Sequence, residues 1–251
     1  MKQEQLYQYL LILGDSPMIL GQRLGEYCGH GPELETDMAL TNISLDLFGQ
    51  VRNYFQYAAS ILGDGKTEDD VAMMRLEREY RNAMLVEQPN TDFAFIICRQ
   101  FLFDVYHRLL FGKLISSKDE TIAAIASKSI KESEYHNDIS SSWMIRLGDG
   151  TQVSHDKIQY ALNELWRYSS ELFEETEIEK EAKEAEIGAD LSELKPLYME
   201  EVEQHIKSAQ LSIPEGEVQQ FGGKKGYHTE HLGYLLADFQ YMQRAYPNMK
   251  W

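Results

Sequence analysis

Apolar residues recur at three- and four-residue steps along nearly the whole chain, the spacing that stacks side chains on one face of a helix. The first such pattern spans 3–27. Asp15-Ser16-Pro17 marks a kink or restart within it, because proline has no amide hydrogen to donate. Cys28-Gly29-His30-Gly31-Pro32 breaks the pattern, and a second runs over 34–62 on Leu40, Ile43, Leu47, Val51 and Tyr54. Gly63-Asp64-Gly65-Lys66 ends that one. A shorter helix is expected over 68–85, inside the longer connection that closes with Glu87-Gln88-Pro89-Asn90. The stretch 92–113 is apolar almost all round, which predicts a helix buried on most sides. Ser117 and Glu120, three residues apart, read as a capping box opening a helix over 119–147. Further helical stretches follow near 155–176, 192–209 and 229–246. Asp149-Gly150 has turn chemistry but lacks the alternating flanks of a hairpin.

The order of these lengths predicts an architecture. Two long helices share a short loop, a long crossover follows, and two more long helices share another short loop. That is the connectivity of a ferritin-like four-helix bundle. The expectation is an all-α fold: one domain over 1–251, with bundle helices at 3–27, 34–62, 92–113 and 119–147 and extra C-terminal helices over 155–246.

Composition narrows the function classes. Of 251 residues, 43% are hydrophobic and 26% charged, enough for a core and a solvated surface. A formal net charge of −17 opposes binding to nucleic acid, whose phosphates it would repel, and to an anionic membrane. Cys28 and Cys98 form no CxxC pair, so neither a disulfide framework nor a thiolate metal site is expected. No signal peptide or membrane-length apolar run is legible, and a cytoplasmic location is expected. The glutamate-rich stretch 171–186 reads as an exposed acidic helix or loop.

A di-iron bundle needs about four carboxylates and two histidines facing inward, two of the carboxylates in Glu-x-x-His pairs. No Glu-x-x-His occurs in this chain. His228 and His231 share a helical face, but Thr229 and Glu230 beside them have the chemistry of a helix start. Gly222-Gly223-Lys224-Lys225-Gly226 lacks P-loop spacing. It suits a phosphate cradle or a basic loop that docks a partner, with Lys224 and Lys225 as candidate contacts to a partner or coenzyme A.

Several blocks together carry a family resemblance: LeuGlyGluTyrCysGlyHis at 24–30, ProGluLeuGlu at 32–35, AsnIleSerLeuAspLeuPheGly at 42–49, LeuValGluGlnProAsn at 85–90, GlyGlyLysLysGlyTyrHisThrGluHisLeuGly at 222–233 and the terminal TyrProAsnMetLysTrp. They resemble the structural, non-catalytic component of the bacterial phenylacetyl-coenzyme A epoxidases, over essentially the full length. The resemblance implies a distant catalytic relative that keeps a full iron set. Laid on this chain, its ligand positions fall on Met18, on Leu47 and Gln50, on Asp104, and on Ser133 and His136. Met18 and Leu47 offer no hard oxygen, Gln50 only an amide and Ser133 only a hydroxyl. One carboxylate and one imidazole remain, too few anionic donors for two irons. Glu132 and Glu134 flank Ser133 about 100° around the helix and are expected to point away.

The expectation is therefore a non-catalytic subunit with a degenerate di-iron site and no cofactor of its own. Resemblance implies that it pairs with and stabilises a di-iron catalytic subunit and joins the other subunits of the complex, including a flavin and iron–sulfur reductase. The assembly epoxidises the ring of phenylacetyl-CoA in aerobic phenylacetate degradation. This chain would meet that substrate only at a shared interface, and would form a homodimer in the partner's absence. Tyr54, Phe55 and Tyr57 are candidate contact residues, with ordinary core packing as the alternative for each. Asp104 and His136 are expected to bond each other in the core. The alternative is a stand-alone ferritin-like metal protein, with Asp104, His107 and His136 holding one ion.

Overall fold

The computed structural model describes residues 1–246 and Met249; of the terminal block 246–251, the other four residues fall outside it. Every regular element among the described residues is helical. The long helices are α1 (Gln3–Tyr27), α2 (Leu34–Leu62), α5 (Phe93–Leu114) and α6 (Glu120–Gly148). Helix α1 packs along α2, α5 packs along α6, and α2 against α6 joins the two pairs. Gly63 stops α2 in the left-handed conformation at φ +63°, where a residue without Cβ is favoured.

Proline does not interrupt α1. Pro17 sits inside a continuous helix, and the triplet around it is where the crossover docks. Asp15 is fully buried and bonds both the Arg75 guanidinium (2.8 Å to Oδ2) and the Arg81 amide (2.7 Å). The guanidinium also lies over the Tyr80 ring, 4.2 Å from its centroid. Ser16 Oγ takes the Ala83 amide at 3.0 Å.

Residues 68–85 do not form the single helix expected. They divide into α3 (Glu68–Met73), a 3₁₀ turn (Glu77–Glu79) and the start of α4 (Met84–Glu87). Thr67 and Asp70 form a true capping box at the start of α3, yet the segment spends its polar groups on anchoring Arg75 and Tyr80 and does not propagate. The cap of α6 also differs from expectation. Asp119, not Ser117, accepts the Thr121 and Ile122 amides, while Ser117 Oγ donates to the Ile187 carbonyl.

Helix α5 is the centre of the molecule. It is covered by α6, by α7 (Gln152–Leu165), by α9 (Leu191–Ser208) and by α4. Phe101, Leu102, Phe103 and Val105 are at most 1% exposed. Each such side chain contributes roughly 1.5–3 kcal/mol by leaving water. The expected stretch 155–176 breaks after Leu165 into 3₁₀ turns, and α8 (Glu177–Glu184) follows, packed on α1. The last stretch is α10 (Glu230–Phe239) and α11 (Tyr241–Ala245), separated at Gln240, whose side chain bonds the Arg75 carbonyl and the Tyr80 hydroxyl.

Candidate functional site

Met18, Leu47, Gln50, Asp104, Ser133 and His136 come from the four long helices, and each is at most 2% exposed. They do not bond one another. Asp104 and His136 make no hydrogen-bonded pair, which corrects that expectation. Asp104 Oδ1 accepts from Gln100 Nε2 at 2.7 Å, one turn back on α5. Its Oδ2 lies 2.8 Å from Ser140 Oγ on α6, one turn beyond His136. His136 Nε2 instead faces Asp46 Oδ2 on α2 at 3.1 Å. Gln50 Nε2 donates to Glu132 Oε2 at 2.9 Å, again across α2 and α6. Ser133 Oγ turns back to its own helix, at the Ile130 carbonyl. Met18 is part of the hydrophobic core.

Sequence reasoning misses two residues. Asp46 escapes it because the flanking leucines suggest that the neighbouring position faces inward. Glu132 starts about 100° from Ser133, but its long side chain reaches back to Gln50. A half-exposed acid at helical spacing, opposite buried His136 for Asp46 and buried Gln50 for Glu132, is the signal that could have found them.

The electrostatics follow from burial. Asp104 has no cation near it, and desolvation pushes its carboxyl up to about 8 despite the Ser140 and Gln100 bonds. Burial, aided by the nearby His136, lowers His107 to about 3. His136 is lowered too, burial outweighing the Asp46 carboxylate. Gln50 Oε1, Tyr54 OH, His107 Nδ1 and His136 Nδ1 are buried without a protein partner. As a donor set for two irons these residues do not fit. The single buried carboxylate favours its proton, both of its oxygens are already bonded, and no group of three acidic, histidine or cysteine side chains converges as metal ligands among the described residues.

A second polar cluster gathers around α4. Glu87 is fully buried and accepts from Asn82 Nδ2 (2.9 Å), the Thr229 amide (2.8 Å) and the Thr229 hydroxyl (2.6 Å), and its Oε1 meets His228 Nδ1 at 2.5 Å. Thr229 is the N-cap of α10 and Glu230 its first residue, so His228 and His231 belong to a helix start. Arg23 donates twice to the Glu87 carbonyl, at 3.0 and 2.7 Å, and once to that of His231. Arg99, fully buried, bonds the Gln88 carbonyl and Asn90 Oδ1. Burial and the neighbouring Arg23 charge lower its guanidinium to about 9. Lys224 is 5% exposed and paired with Glu179 at 2.8 Å; Lys225 pairs with Glu174.

Of the candidate contact residues on α2, Tyr54 and Phe55 take the alternative of core packing and Tyr57 is half-buried. Tyr54 and Phe55 are at most 1% exposed, and Tyr57 donates to Asp119 Oδ2 at 2.7 Å. The outer face of α2 instead presents Leu34, Met38 and Leu45, 71%, 56% and 62% exposed, with Tyr135 of α6 at 44%. No helix among the described residues is long and apolar enough to cross a membrane.

An all-helical bundle with a polar centre on four long helices is the ferritin-like class of fold. A family model described as phenylacetic acid catabolic protein matches residues 1–251, and the chain belongs to that family. It is 49% identical over 247 residues to the C component of the 1,2-phenylacetyl-CoA epoxidase of Escherichia coli (strain K12), covering 98% of this chain and 99% of that protein.

Proposed function

We propose that this chain is the non-catalytic structural subunit of a cytoplasmic, multicomponent oxygenase that epoxidises the ring of phenylacetyl-CoA. It pairs with and stabilises a di-iron catalytic subunit; electrons reach that partner from a flavin and iron–sulfur reductase. The bundle centre carries this reading. Where a di-iron bundle needs four carboxylates, this one has Met18, Leu47 and Ser133, and an Asp104 whose oxygens are taken by Gln100 and Ser140. The degenerate centre packs the bundle, and the useful chemistry of the chain lies at its surface. The relative of 49% identity is itself named as one subunit of an epoxidase, which supports a role inside an assembly. Leu34, Met38 and Leu45 form the apolar face such a partner would cover.

The experiment mixes the full chain with its cognate catalytic subunit at micromolar concentration, follows size-exclusion chromatography with light scattering, and assays phenylacetyl-CoA turnover. Co-elution and turnover that depends on this chain are expected. Separate elution with unchanged turnover overturns the proposal. Two irons per chain after anaerobic loading of the purified protein would return it to the stand-alone metalloprotein reading.

A further inference from the structure

Two of the blocks that carry the family likeness, 85–90 and 222–233, meet away from the bundle centre, and the second has found its ligand inside the chain. Gly222 and Gly223 direct consecutive backbone amides at a single oxygen, Glu171 Oε1, at 2.7 and 2.6 Å. The Met84 amide takes the other oxygen at 2.6 Å. Glu171 is fully buried. Consecutive amides converging on one oxygen form an anion-holding concavity, the arrangement that elsewhere grips phosphate. We propose that the Gly222–Gly226 loop is a carboxylate clasp, with Glu171 occupying the place of a ligand phosphate, so that the loop fastens the C-terminal arm to the bundle and does not receive coenzyme A.

The glycines are explained by this role. Gly222 has φ +142° and Gly226 φ +82°, conformations that disfavour a Cβ. A Cβ on Gly223 would strike the Asn82 carbonyl, so the loop approaches the 82–84 backbone closer than any other residue permits. The lysines are spent inward as well. Lys224 Nζ sits 2.8 Å from Glu179 Oε1 and 3.4 Å from the Leu172 carbonyl, while Glu179 Oε2 caps α8 through the Thr176 amide and hydroxyl, both at 2.9 Å. Lys225 goes to Glu174. Glu171, Glu174 and Glu179 all belong to the acidic run at 171–186. That run is the counterpart of the basic loop, and not merely a solvated face. Two to three residues past the loop, His228 and Thr229 close the same seam on Glu87. An incoming phosphate would have to displace a buried carboxylate and settle among other acids, which Coulomb repulsion opposes.

The test uses the full chain. Glu171→Gly removes the carboxylate and leaves its cavity. Amide hydrogen exchange at Met84, Gly222 and Gly223 is expected to accelerate about tenfold or more, the scale of losing one hydrogen bond to a charged acceptor. Millimolar formate should restore protection and raise the melting temperature of the variant while leaving the wild type unchanged. Should Glu171→Gly not fold, Glu171→Gln keeps the volume and one acceptor oxygen but sets an amide nitrogen against either the Met84 amide or the Gly222 and Gly223 pair, and the acceleration is expected on that side. Coenzyme A at millimolar concentration should leave the Gly222–Gly226 amide signals of the wild type unmoved. Unchanged exchange in the folded variant refutes the clasp. So does a saturable shift of those amides by coenzyme A that Lys225→Gln abolishes.

Discussion

Asp104 and His107 lie one turn apart on α5, both almost without exposure, and burial favours the neutral form of each, with opposite consequences for stability against pH. Asp104, pushed up from 3.8 to about 8, holds its proton in the folded chain while the unfolded chain releases it. Its contribution to stability is whole below pH 3.8 and is lost as pH rises through the folded value. His107, lowered from 6.5 to about 3, stays neutral when folded while the unfolded chain gains a proton. Its contribution is present above pH 6.5 and fades as pH falls toward 3. His136 shifts the same way as His107. Above pH 6.5 the histidines no longer oppose the aspartate. Between pH 6.5 and 8 the unfolding free energy of the wild type should therefore fall faster than that of Asp104→Asn, by up to about 1.4 kcal/mol per pH unit for one full proton. Urea denaturation across that range checks it, and parallel curves would show that Asp104 is ionised in the native bundle. The neutral carboxyl has a ready acceptor. Ser140 Oγ, 2.8 Å away, can take its proton while itself donating to the Asn137 carbonyl at 3.4 Å.

Among the elements, the long helices are the legible part of the sequence, because three- and four-residue periodicity and glycine stops act locally. What escapes is decided by distant partners. Asp15-Ser16-Pro17 has the local signature of a break, yet Arg75, Arg81 and Ala83 arrive from the crossover to bond it, and the helix continues. Residues 68–85 have helical periodicity but are pulled into short turns by the same contacts. At the site, the inward positions on α2 and α6 are readable from helical phase, whereas the Asp46–His136 and Gln50–Glu132 pairings depend on how two helices face each other. The N-cap of α6 is a further case. Ser117 and Glu120 match the capping-box spacing, but the backbone makes Asp119 the cap. Asp119→Ala should cost about 1 kcal/mol of stability, read as a lower urea midpoint at unchanged slope. Tyr57, half-buried, can turn its freed hydroxyl to water and so adds little to that loss. Ser117→Ala would instead loosen the 187 loop, visible as faster amide exchange at Ile187 and Gly188 with the α6 amides unaffected.

At the scale of the molecule, a net charge of −17 surrounds a helix face that charge does not cover. Like charge keeps copies of this chain apart at low ionic strength, and salt screens that repulsion over about 10 Å at 0.1 M and about 3 Å at 1 M. Pairing driven by apolar burial should therefore persist or tighten as salt rises, whereas pairing driven by ion pairs would weaken. Leu34, Met38 and Leu45 stand at steps of four and seven on α2, with Thr41 and Asn42 between the last two, and Tyr135 of α6 neighbours His136, which meets Asp46 beside Leu45. A stable interface buries on the order of 1,600 Å² in total, and obligate ones are more apolar than that average. Four large exposed apolar side chains on two adjoining helices supply the centre of such a patch. Met38→Glu with Leu45→Glu places two more charges there without touching the core, so the monomer should keep its helicity and melting temperature. On the proposed pairing, the catalytic subunit should no longer co-elute with this variant, while the wild-type pair should survive 1 M sodium chloride. A wild-type complex that dissociates in salt, or a double variant that still pairs, would move the interface away from the α2 face.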